Sequence, residues 1–187
     1  MKNHIKSYTE KLSKALGSDA MVKVPLLGIA LREAWQAKQC IYICGNGGSA
    51  GNAIHLANDF LYGVGIKNGI GMRVEALSAN PAVLTCLAND IGYERIYSEQ
   101  LRVKANPGDI LIVLSGSGNS ANVVAALEMG NSIGMKTFAV LGYSGGKCKE
   151  IAQNPIHFEI DDMQISEDLQ LVVGHVCMQW LCATSIN

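Results

Sequence analysis

Apolar residues recur at helical spacing through the first segment of the chain, at Ile5, Tyr8, Leu12 and Leu16 and again at Leu26, Leu27, Ala30, Leu31, Ala34 and Trp35. This spacing predicts amphipathic helices. Gly17, Ser18, Asp19 and Pro25 interrupt it, so two helices are expected before residue 38.

The pattern then changes period. Cys40-Ile41-Tyr42-Ile43-Cys44 is a short apolar run that ends in glycine, as a buried strand does. Residues 72–77, 109–115 and 136–142 read the same way, and residues 154–160 read as a short edge strand. Helical spacing fills the gaps, from about residue 50, then over 79–88, 93–103, 121–132 and 146–152, and from Ser166 to the C-terminus. Strands that alternate with helices predict an α/β fold whose parallel sheet is covered on both faces. The expectation is a doubly wound parallel five-stranded sheet flanked by helices. It forms one domain over residues 1–187, with helices over 1–37 and an α/β sandwich over 38–187.

Composition narrows the function. The chain has 187 residues, 49% of them hydrophobic, enough to bury a full core. Its 15 basic and 16 acidic residues give a formal charge of −1 without a block of one sign, so the electrostatic footprint for nucleic acid or an anionic membrane is missing. No apolar run approaches the ~18 residues of a membrane span. The N-terminal residues alternate charged and apolar positions, unlike a secretory leader, and a cytoplasmic location is expected. Most of the six cysteines sit in apolar runs. Cys40 and Cys44 have the spacing of a metal pair, but as neighbours on one strand face they read as core.

Two turns share one construction: an apolar strand, small polar residues, then a helix start. They are Ile43 to Gly51 (ICGNGGSAG) and Val113 to Asn122 (VLSGSGNSAN). Glycines allow close backbone approach, and a helix N-terminus presents free N–H groups and partial positive charge, so an anion suits both turns. Neither matches a dinucleotide fingerprint or a P-loop. Neither contains lysine or arginine, which leaves hydroxyls and backbone amides to hold a phosphomonoester. Plain helix capping is the other reading of such turns.

His55 and Asp59 are four apart and share a helix face, as half of a metal site or as a surface ion pair. Glu167 and His175 are eight apart, and His175 lies in an apolar stretch where a histidine also reads as core.

The segments GNGGSA, LANDIGY and LSGSGNSANV, in this order and spacing, resemble the sugar isomerase (SIS) domain and, within it, the phosphoheptose isomerases, over nearly the whole chain. The resemblance implies isomerisation of sedoheptulose 7-phosphate to a heptose 7-phosphate through an enediol. It implies that Asn46, Gly47, Gly48, Ser49, Ser115, Gly116, Ser117, Ser120 and Glu167 line the sugar-phosphate site and that Asn89 and Asp90 contact the sugar. It also implies zinc at His55, Asp59, Glu167 and His175, with Asp59 as base and His175 as its acid/base partner. The chain departs from the family in having Asp59 for glutamate, Glu167 for glutamine and Gly116 for threonine, and it lacks an arginine in LYGVGIKNG. An aspartate is one methylene shorter than glutamate, so Asp59 is also open to serving the metal alone.

Geometry adds an expectation about assembly. Residues eight apart on one helix are separated by about 12 Å, whereas zinc–ligand bonds are ~2 Å. Either the last helix begins beyond Glu167, or Glu167 and His175 reach a given ion from different subunits. The apolar N-terminal helices favour the second route and a homo-oligomer, a tetramer by resemblance. Three readings stay open: a phosphoheptose isomerase, an isomerase of another sugar phosphate, and a non-catalytic SIS module that binds a sugar phosphate or a protein such as the replication initiator.

Overall fold

The computed structural model describes residues 1–184, leaving aside the side chains of residues 67 and 68. Helices α1 (Lys2–Leu16) and α2 (Val24–Gln36) come first, joined by a 3₁₀ turn over Asp19–Lys23. The rest alternates: β1 (Cys40–Gly45), α3 (Gly48–Asn58), α4 (Gly65–Asn68), β2 (Arg73–Ala76), α5 (Pro81–Ile91), α6 (Ser98–Lys104), β3 (Ile110–Ser115), α7 (Ala121–Ile133), β4 (Lys136–Leu141), α8 (Gly146–Ile151), β5 (Asn154–His157) and α9 (Met163–Ala183). The five strands are parallel in the order β2-β1-β3-β4-β5. The chain reverses its direction of winding between β1 and β3, and in such sheets the crevice outside the carboxyl ends of that strand pair receives ligands.

Period-two alternation sorts the strand side chains between two cores. Ile41, Ile43, Ile110, Ile112, Phe138 and Val140 pack with Leu31, Trp35, Phe60, Leu169 and Val173 on the face of α2, α3 and α9. Tyr42, Cys44, Leu111, Val113, Ala139 and Leu141 pack with Tyr97, Leu101 and Leu127 on the face of α6 and α7. Each large apolar side chain buried there contributes about 1.5–3 kcal/mol. Cys44 is buried and Cys40 packs against the same core, in line with their reading as strand residues.

Three elements differ from the pattern-based expectation. The helix expected over 93–103 is broken into a 3₁₀ turn, Tyr93–Arg95, and α6. After α3 the backbone widens into one π turn, Asp59–Gly63, with Val64 N–H donating to Asp59 O at 3.0 Å. The last helix starts at Met163, earlier than Ser166, because Asp162 caps it by accepting from Ile165 N–H. α9 is therefore continuous through Glu167 and His175, and the possibility that it begins beyond Glu167 is excluded. Its expected continuation to the C-terminus concerns residues 185–187, which lie outside the described residues.

Candidate active site

The cleft forms where the two Gly/Ser turns leave adjacent strands, since Gly45 of β1 pairs with Leu114 of β3. Asn46, Gly47, Gly48 and Ser49 form one wall, Ser115, Gly116, Ser117 and Ser120 the other, and Met163 and Glu167 of α9 close it, around about 280 Å³. All the residues expected to line the sugar-phosphate site are here except Asn89 and Asp90. Those two lie exposed at the end of α5, where Asn89 Nδ2 donates to Asp90 Oδ1 at 2.9 Å.

The walls are held to each other by a pair the sequence did not disclose. Asn46 Nδ2 donates to Asn122 Oδ1 and Asn122 Nδ2 donates to Asn46 Oδ1, both at 2.8 Å. Tyr93 Oη adds a bond to Asn46 Oδ1 at 3.0 Å, and Tyr97 Oη donates to Gly45 O beneath the turn. Asn122 Oδ1 also accepts from Val123 N–H at 2.9 Å, in the first turn of α7. Ser120 sits at the N-cap of α7 without a side-chain capping bond, so its hydroxyl is left to the cleft. Ser115 Oγ accepts from Gly118 N–H at 3.0 Å and retains its proton for a ligand.

Two helix N-termini, of α3 and α7, face the cleft, and they are not equivalent. The Glu167 carboxylate lies over the first turn of α3, where a Cβ on Gly48 would fall 2.4 Å from Oε2. Any side chain at 48 would displace it. The end of α7, ringed by Ser115, Ser117 and Ser120, holds no such resident anion. Gly116 has a similar steric counterpart: Met163 Sδ would be 2.6 Å from a Cβ there, so threonine at 116 would require Met163 to move.

From the cleft, α3 and α9 run side by side. Asn52 Nδ2 donates to Glu167 O and Gln170 Oε1, both at 3.0 Å, and Gln170 Nε2 donates to Ser49 Oγ at 3.0 Å. Further along, Gly174 permits close approach: a Cβ there would meet Leu56 Cδ2 at 2.2 Å. This contact brings the flanking His55 and His175 together, with Nε2 atoms 2.9 Å apart. Asp59 Oδ2 is 3.5 Å from His55 Nε2 and 3.4 Å from His175 Nε2. Zinc–ligand bonds of ~2.0–2.1 Å place neighbouring ligand atoms of a tetrahedron about 3.3 Å apart. The triangle of two imidazoles and one carboxylate matches one face of that tetrahedron, and these residues form a candidate metal group. Glu167 does not join it. Two helical turns, about 12 Å, separate it from His175, so the four-ligand set implied by resemblance is a three-ligand set within this chain.

The SIS domain family matches residues 5–142. A phosphoheptose isomerase from Akkermansia muciniphila is 40% identical over 136 residues, 73% of this chain and 71% of that one. One from Geotalea daltonii is 32% identical over 176 residues, 94% of this chain and 91% of that one. The solved structure of a phosphoheptose isomerase from Neisseria gonorrhoeae superposes with a TM-score of 0.89 at 22% identity, covering 98% of this chain and 99% of that one. The chain belongs to the SIS domain family, in its phosphoheptose isomerase branch.

Proposed function

We propose that this protein is a ketose/aldose sugar-phosphate isomerase that interconverts sedoheptulose 7-phosphate and an aldoheptose 7-phosphate through an enediol. The observation that carries the reading is the cleft at the carboxyl ends of β1 and β3, built from hydroxyls, amides and two helix N-termini and lined by no lysine or arginine. The phosphate lies at the N-terminus of α7, where Ser115, Ser117, Ser120 and backbone N–H groups donate to it. Asn46, held by Asn122, keeps the opposite wall in register for the sugar.

His55, Asp59 and His175 would hold a divalent ion of the zinc class, two imidazoles and a carboxylate being a donor set that suits it. Such an ion supplies Lewis-acid stabilisation of oxyanion charge. Free cysteines throughout the described residues suit a reducing cytoplasm, and no described helix is long and apolar enough to cross a membrane.

A homotetramer completes the proposal. α5 packs Leu84, Leu87 and Ala88 only partly against the sheet and leaves Ile91 exposed, and Ile29, Val176 and Trp180 are exposed along an apolar groove between α2 and α9. Another copy covers these faces and brings Asn89 and Asp90 to the cleft of a neighbouring chain. Light scattering at micromolar concentration will give the mass of an oligomer; a monomer contradicts the assembly.

Activity is tested with a panel of sedoheptulose 7-phosphate and pentose and hexose phosphates, measuring aldose formed. The highest kcat/KM is expected for the seven-carbon ketose. A faster pentose or hexose phosphate replaces the substrate, and no turnover of any leaves the non-catalytic binding module.

A further inference from the structure

A serine hydroxyl turns freely about its C–O bond, so it donates to a ligand in a fixed direction only when its oxygen is already engaged as an acceptor. Two hydroxyls of the Gly/Ser turn after β3 are engaged in this way. Ser115 Oγ accepts from Gly118 N–H at 3.0 Å and Ser117 Oγ from Asn119 N–H at 3.3 Å. Both donors belong to the backbone just before α7, so the aim of each hydroxyl depends on where residues 118 and 119 are held.

They are held by the loop after β4. Gly118, at φ +67°, packs so closely on Gly145 that a Cβ would fall 2.0 Å from Gly145 O, and Gly118 O accepts from Cys148 N–H at 3.0 Å. Asn119 completes the attachment. Its Oδ1 accepts at 3.1 Å from Lys147 N–H, in the first turn of α8, whose N-cap Gly145 has no side chain to do so. Its Nδ2 donates to Ser117 O at 3.2 Å. A Cβ on Gly146 would lie 2.6 Å from the Asn119 amide, so this glycine leaves the space that the amide occupies. Asn119 is exposed and lines a neighbouring surface cavity with Lys147, outside the cleft. Its amide therefore joins two loops without touching a ligand.

We propose that Asn119 is a positioning residue for the phosphate: it acts through Ser117 and the start of α7, clasping the Gly/Ser turn to the loop after β4 and so aiming the Ser117 hydroxyl into the cleft. The proposal rests on the phosphate site assigned above to the N-terminus of α7. With no lysine or arginine in the cleft, phosphate is recognised by the direction of neutral donors, and hydrogen bonds weaken steeply when misaligned. Holding the turn still thus has more effect on binding here than it would beside a basic side chain.

A ³¹P NMR titration with inorganic phosphate, which reads the turn without turnover, tests this together with steady-state kinetics on sedoheptulose 7-phosphate. Asn119→Ala is expected to weaken phosphate binding about tenfold, the low end of what one hydrogen bond to a charged group contributes. KM should rise by the same factor, with kcat and bound metal little changed. Gly146→Ala keeps Asn119 but fills its space, and is expected to reproduce the loss; the cost of alanine at φ +50° is read in Tm, not in affinity. The double variant should bind phosphate no more weakly than either single one, because both changes release the same clasp. A merely structural role would lower Tm and leave phosphate affinity where it was. Unchanged affinity in Asn119→Ala overturns the proposal, and so do additive losses in the double variant. Wild-type protein that binds no phosphate overturns it together with the site it rests on. Wild-type protein that binds phosphate but turns over no sugar phosphate overturns the isomerase reading alone, and the phosphate titrations of the variants then decide the proposal.

Discussion

Substituting Asn122 by alanine tests whether the two walls of the cleft are held by side chains or by the sheet alone. Asn122 is 1% exposed and exchanges two hydrogen bonds with Asn46 at 2.8 Å each, besides capping Val123 N–H. Alanine removes all three and leaves Asn46 Nδ2 without its acceptor. Asn46 is half-buried on the cleft, where water reaches its amide, so each lost hydrogen bond costs about 0.5–1.5 kcal/mol and the space vacated adds to it, for an expected loss of roughly 2–4 kcal/mol. For a chain of this size each kcal/mol lowers Tm by ~2–4 °C. Scanning fluorimetry on Asn122→Ala, Asn46→Ala and the double variant should then show a coupling of about 1–3 kcal/mol, because either single change already breaks the pair. With the walls released, KM for the sugar phosphate should rise about tenfold, equivalent to roughly 1.4 kcal/mol. Additive single effects with an unmoved KM would refute the reasoning and assign the cleft's shape to the strands.

Ser120→Ala should weaken sugar-phosphate binding by calorimetry through loss of one hydrogen bond to a charged group, about 1.5–3 kcal/mol, while folding stability stays within about 0.5 kcal/mol of wild type because the Ser120 side chain caps nothing. His55→Ala and His175→Ala should each lose the bound ion by metal analysis, and Gly174→Val should reduce it by forcing Leu56, and with it α3, away from α9; full metal in all three would discard the triad. Hydrogen bonding to Asp168 pushes the Tyr8 hydroxyl from its ordinary 10 up to about 12. The folded pKa is raised, so this contribution to docking α1 on α9 is present below pH 10 and disappears as pH rises through about 12; the Tm difference between wild type and Tyr8→Phe should shrink over that window, and a constant difference would contradict it.

Much of the fold was legible because its signals are local. The apolar run from Cys40 to Cys44 and its glycine stop, or the Gly/Ser turn after Ser115, contain within a few residues the reason for the structure they adopt. The start of α9 was misread because Ser166 looks like a cap, whereas its Oγ donates back to Asp162 O and Asp162 caps the helix. The π turn at Asp59 has no single residue to announce it. The turns of the cleft could be found from sequence, but the Asn46–Asn122 pair and the Glu167–Gly48 contact could not, because each joins residues far apart in the chain whose meeting depends on the sheet order. Only that placement separates Glu167 from the metal triad and puts it in the cleft.

The central claim is that this cleft isomerises a seven-carbon ketose phosphate. Sedoheptulose 7-phosphate labelled with ¹³C at C2 and followed by NMR in the presence of the purified, metal-loaded protein tests it most directly. The account predicts that the ketose C2 carbonyl and hemiketal resonances decline as a protonated, alcohol-type C2 resonance of the aldose appears, until a stable equilibrium is reached, at a rate proportional to protein. An unchanged C2 spectrum at high protein concentration would contradict it.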